Sequence, residues 1–232
     1  MLVTGHTWVK SFFTQRFLLK VSKVAMSKSE VGTAPTTAKS GEASKVRVRD
    51  RIFETACEMF YKQGIRCVGV DAIASEAGTN KMSFYRSFAS KDELVAEYLR
   101  SLESEHWQWW DETIAPYTGD ARRQIEALFD AWVGKMRKEG DQGCAFVNAA
   151  VELREPDHPG LAVVHKAKAE KRRRFLKLAK EAGASAPDQL GDALTLLAEG
   201  GAMSCLSFVC QEGPATNAPK IVRKLLDAYI NK

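Results

Sequence analysis

An all-α protein is predicted by three observations on this chain. Apolar residues recur at helical spacing in almost every segment after residue 45. No segment alternates apolar and polar residues in the period-two manner of a strand. Helix caps and breakers fall where the periodicity changes, at Gly64, Gly78, Ser90, Pro116 and Gly140. With 232 residues, the chain can bury a sizeable core as one large or two small domains.

Charge divides the chain before any motif does. The formal net charge is +5, and residues 1–45 hold all of it, with seven Lys or Arg against two Glu; the rest carries 27 basic and 27 acidic residues. Net basicity is therefore no argument for a nucleic-acid partner, and such an argument must rest on local patterning. Within the tail, residues 1–26 mix Trp8, Phe12, Phe13 and Phe17 with basic residues. They offer no uninterrupted apolar run of membrane-spanning length and no convincing small-residue cleavage site. Met26 offers an alternative start. Residues 27–44 are rich in Ser, Thr, Ala, Gly and Lys, so 1–45 is expected to be a disordered basic tail. Cys57, Cys67, Cys144, Cys205 and Cys210 form no CxxC pair. Buried, reduced thiols in a cytoplasmic protein are expected, with no membrane partner.

The elements follow in order. A first helix spans about Val46 to Gln63, with Ile52, Phe53, Ala56, Cys57, Met59 and Phe60 on its apolar face, and Gly64 closes it. Val70 to Ala77 forms a second, Gly78-Thr79-Asn80 a tight turn, and Lys81 to Phe88 a third. Ser90 and Glu93 make a capping box for a long helix from Lys91 to Pro116. Further helices are expected over about Arg122–Glu139, Cys144–Arg154, Leu161–Ala182, Pro187–Gln211 and Ala218–Asn231. Cys144–Arg154 is apolar nearly all round and reads as buried on several sides.

Residues 69–88 read as a helix-turn-helix, whose second helix can enter the DNA major groove. Ala72, Ile73, Ala77, Phe84 and Phe88 have the spacing to pack on the first helix. Thr79, Asn80, Lys81, Ser83, Tyr85, Arg86 and Ser87 lie on the other side or at its leading edge. Lys81 and Arg86 suit phosphate or guanine, Asn80 and Ser83 suit base edges, and the Tyr85 hydroxyl suits phosphate. Lys91 adds a charge and a helix N-terminus to the same backbone contact.

IFETACEMFYKQG followed by VDAIASEAGTNKMSFYRSFASKDELVAEYL resembles the amino-terminal domain of TetR-family transcriptional regulators, closely over Val46 to Leu99. The resemblance implies a three-helix DNA-binding domain over 46–92 and a helical ligand-binding and dimerising domain over 93–232. It also implies phosphate contacts from Tyr85 and Lys91. Three positions depart from the family pattern: Gly69 replaces a capping hydroxyl, Met82 a common glycine and Ser87 a common histidine.

On that resemblance the expected partners are a double-stranded palindromic DNA operator, a second copy of the chain and a small-molecule effector, with no other cofactor. One short recognition helix reads few bases, which independently favours a homodimer on two half-sites. Leu194, Leu197, Gly201, Ile221 and Leu225 are the candidate dimer residues, with close approach of a partner helix offsetting the cost of glycine at 200 and 201. Trp107, Trp110, Trp132, Phe146, Asn148 and Glu152 are candidates for the ligand pocket. For the aromatics, core packing is the alternative. The basic run Lys166–Arg174 reads as a solvated helix face. No nucleophile–base arrangement, phosphate loop or metal-ligand spacing stands out, so neither an enzyme nor a metal site is expected.

Overall fold

The computed structural model describes residues 38–136, 143–208 and 212–230, and among these every regular element is helical. In chain order the α-helices are α1 (Ala38–Gln63), α2 (Val70–Glu76), α3 (Lys81–Ser87), α4 (Lys91–Ile114), α5 (Ala121–Met136), α6 (Ala145–Glu152), α7 (Pro159–Glu181), α8 (Pro187–Ser207) and α9 (Ala218–Tyr229). Short 3-10 turns at Ala115–Tyr117 and Pro214–Asn217 precede α5 and α9. The expectations for residues 1–37, including the alternative start at Met26, and for Gly140 and Cys210 lie outside the described residues.

The chain divides into two compact units, one formed by the residues up to Phe60 with Val68–Phe88, the other by Tyr61–Cys67 with the chain from Ala89 onward. Helix α1 starts at Ala38, inside the stretch expected to be disordered. Ala38, Lys39, Glu42 and Ala43 are good helix formers, which a reading based on the scarcity of large apolar residues underweights. In the first unit Ile52, Ala56, Cys57 and Phe60 of α1 are buried, as are Ile73, Ala74, Ala77, Phe84 and Phe88. Ala72, expected to pack, is exposed instead: Ile73, Ala74 and Ala77 share the buried face of the helix, and Ala72, two residues before Ala74, falls on the opposite side. Gly78 takes φ of 62° in the turn, a conformation that a side chain disfavours. Asn80 then caps α3, its Oδ1 accepting the Ser83 N–H at 2.9 Å.

In the second unit α7 packs on α8 and α4, and α5 packs on α9. Trp110, Ile125, Phe129, Phe175, Leu190, Leu194, Val222 and Leu226 belong to one buried cluster. Ser90 caps α4 as the spacing predicts, its Oγ accepting the Glu93 N–H at 3.1 Å. Helix α6 departs from expectation. Of its residues only Ala149 is fully buried, and Val151 is 62% exposed. Eight residues that pack chiefly on α7 leave the far side to solvent. Nor are all the thiols buried: Cys57 and Cys205 are, whereas Cys67 is exposed and Cys144 half-buried.

Gly201 of α8 has its partner within the protomer. A Cβ on Gly201 would lie 2.3 Å from Trp132 Cη2, so the indole of α5 occupies the space expected for a helix of a second copy. Gly200 faces open space.

Candidate functional site

Helix α3 has one buried side and one open side. Phe84 is fully buried and Phe88 nearly so, their rings 5.8 Å apart. The Arg49 guanidinium lies 4.6 Å from the centre of the Phe88 ring. Opposite them Asn80, Lys81, Tyr85 and Arg86 are exposed, and Thr79, Ser83 and Ser87 half-buried. The Tyr85 ring meets Phe84 edge-on at 5.4 Å, which fixes its direction while its surface stays open.

Local bonds sort these polar groups. Lys81 Nζ pairs with Asp71 at 3.2 Å, both side chains largely in water. Such a pair contributes about 0–1 kcal/mol and exchanges readily for a phosphate. Arg86 donates to Met82 Sδ at 3.3 Å, so Met82 steadies the arginine from an otherwise exposed position. Ser87 Oγ donates to the Ser83 carbonyl at 2.9 Å. Asn80 is narrowed from the sequence expectation: its Oδ1 serves the helix cap, which leaves its amide N–H groups for an outside partner. Gly69, at the N-cap of α2, makes no side-chain cap.

Lys91 belongs to the second unit, half-buried in the first turn of α4. Burial lowers its ammonium from the ordinary lysine range, against the opposing pull of Asp92 and Glu152.

A second candidate site is a cavity of about 230 Å³ within the second unit. Trp110, Trp132 and Phe146 line it, together with Trp109, Phe129 and Phe175. Trp110 and Phe129 flank Phe175 at centroid distances of 4.8 and 5.8 Å. The other three expected pocket residues are not among its lining. Trp107 lies under Arg174, with the guanidinium carbon 4.4 Å from its ring centre and its indole N–H donated to Glu103. Glu152 accepts the Arg66 backbone N–H at 2.8 Å, holding the segment after α1. Asn148 lies on α6, half-buried.

The cavity also holds polar groups that the sequence reading passed over. Lys168 and Lys171, in a run whose charge predicts a solvated face, line it and share Glu199 of α8, Lys171 at 2.8 Å. Burial disfavours the Glu199 carboxylate, but the two ammonium groups outweigh it and hold its pKa below the usual range. His106 lines the cavity with a buried Nε2 that finds no hydrogen-bond partner among the described residues. Burial first, then Lys171, Lys135, Lys168 and Arg174, lowers its pKa to about 3, so the ring is neutral. Spacing could have revealed Lys171: it stands four residues from both Ala167 and Phe175, within the apolar stripe of α7.

The candidate dimer residues separate. Leu194 is fully buried in its own unit, and Gly201 lies against Trp132. Leu197 and Leu225 are half-buried against the same cluster, and Ile221 is 41% exposed. The apolar residues that α8 leaves open are Leu196, Met203 and Leu206. No described helix is long and apolar enough to cross a membrane.

Residues 52–98 match the family described as bacterial regulatory proteins, tetR family. Over 54 residues the chain is 43% identical to the HTH-type transcriptional repressor KstR2 of Mycobacterium tuberculosis, a match covering 23% of this chain and 27% of that protein. The fold is similar over a far longer stretch to SCO4454, a TetR-family transcriptional regulator of Streptomyces coelicolor: TM-score 0.75, 26% identity, 80% of this chain and 97% of that one. A TetR-type regulator of Streptomyces avermitilis gives a TM-score of 0.62 at 27% identity, over 78% of this chain and 97% of that one.

Proposed function

The chain belongs to the TetR family of transcriptional regulators, and from that premise we propose that it is a homodimeric repressor released from a palindromic operator by a small molecule. The observation that carries this reading is the two-sided α3. Phe84 and Phe88 anchor it, while Lys81, Tyr85 and Arg86 stand open on a short, capped helix. An anchored helix presenting cations and hydroxyls suits major-groove entry with phosphate contacts on its flanks. Lys91 contributes a further phosphate contact from the start of α4. Dimerisation finds support in the apolar side chains exposed on α8 and α9: Leu196, Met203 and Ile221. The aromatic cavity is the effector site, and an effector acts by binding the DNA-free arrangement more tightly than the DNA-bound one.

Footprinting and gel shift on DNA flanking the gene test this reading. Protection of a symmetric site is expected, with affinity falling steeply as salt rises. Tyr85→Ala should weaken the complex by about fivefold or more, the loss of one phosphate hydrogen bond to a charged acceptor. Sequence-independent binding alone, with Tyr85→Ala indistinguishable from the parent, would overturn it.

A further inference from the structure

The cavity's size and charge restrict what it can hold. An engineered apolar cavity of about 150 Å³ accepts one benzene ring. The 230 Å³ here therefore suits one ring and a short polar arm. It falls below the roughly 300–1,000 Å³ of drug-sized sites. Trp110, Phe129, Trp132 and Phe175 supply faces and edges for a ring. Among the described residues, lysines line the cavity and no carboxylate does. Lys168 and Lys171 share a single carboxylate, Glu199, so this corner holds two positive charges against one negative. Their side chains are 26% and 16% exposed, and a poorly hydrated excess charge is costly until an anion meets it. A cationic ligand would add to the imbalance, and a neutral one would leave it as it is.

We propose that this cavity takes a small monocyclic aromatic carboxylate, its ring among Trp110, Phe129, Trp132 and Phe175 and its carboxylate at Lys168 and Lys171. The assignment rests on the reading of the chain as an effector-controlled regulator and gives the effector its chemical class. The neutral His106, whose Nε2 has no partner among the described residues, leaves one polar group in the wall for a ring substituent.

Calorimetric titration of the full chain, free of DNA and near neutral pH, tests it with four probes: phenylacetate, phenylacetamide, phenethylamine and hexanoate. Phenylacetate should bind about tenfold or more tightly than each of the others, because a charge-assisted hydrogen bond is roughly twice as strong as a neutral one. Lys171→Met should bring phenylacetate down to the affinity of phenylacetamide. Glu199→Gln removes the carboxylate that competes for the two lysines and should tighten phenylacetate, a gain that a folding defect cannot produce. The proposal is overturned if phenylacetate does not bind, if the amide or the amine binds as well, or if Glu199→Gln weakens binding. Hexanoate matching phenylacetate would overturn its aromatic half. Gel shift on the same preparations separates the two readings. Protein that retards DNA but ignores phenylacetate refutes the ligand class alone, and protein that binds phenylacetate without retarding DNA refutes the regulator alone.

Discussion

His106 sits in surroundings unlike water, and its titration should show in the stability of the protein. Its folded pKa of about 3 lies below the ordinary 6.5, so the unfolded chain takes up the proton first. Stability from this group is complete above pH 6.5 and falls as pH drops from there toward 3. By one unit below its ordinary pKa the loss amounts to about 1.4 kcal/mol. Lys171, Lys135, Lys168 and Arg174 are the charged groups that act on it. Denaturant melts at neutral and mildly acidic pH should show this loss in the parent and a smaller one in His106→Leu; equal pH dependence would contradict it. At the residue scale the sequence is informative where a side chain has one neighbourhood, as at Phe84 and Phe88, which period alone assigns to the buried side. It misleads where a charged residue belongs to an apolar stripe. Lys171 reads as one more cation in KAKAEKRRR until α8 brings Glu199 to it.

Among the elements, α3 shows how a polar side chain can serve structure and function together. Asn80→Ala removes the cap and should lower thermal stability by about 1 kcal/mol. Asn80→Asp should keep that stability, since its carboxylate caps as well, yet weaken DNA binding by placing a negative charge beside phosphate. If Asp binds DNA as tightly as Asn, position 80 does not face the backbone. Most helix limits were legible, because caps and breakers act locally: Ser90 fixes the start of α4, and α1 stops before Gly64. Two features were not. The start of α1 at Ala38 depends on modest propensities summed over several residues, without an apolar stripe to mark them. The exposure of α6 depends on how many helices reach it, which its own residues do not encode.

For the whole molecule, the fold class was legible because the helical period runs through the chain without interruption by strands, and the comparison with SCO4454 agrees. Where apolar residues face within the second unit was less so. Leu194, Leu196 and Leu197 look equivalent as apolar letters, but the first is fully buried, the second 72% exposed and the third half-buried. Leu196→Glu tests the homodimer. Light scattering should show monomer, thermal stability of the protomer should hardly move, and operator affinity should fall by about tenfold or more as one half-site is lost. A dimeric Leu196→Glu protein would move the interface elsewhere.

The contact between Gly201 and Trp132 bears on how such a protein diverges. A side chain at 201 would require the indole at 132 to move, so the two positions are coupled. The same indole is part of the cavity wall. A lineage that exchanges the pair for alanine and a smaller ring has altered, in one step, both the seam between α5 and α8 and the shape of the cavity. The cavity is then reshaped from Gly201, a position outside its lining.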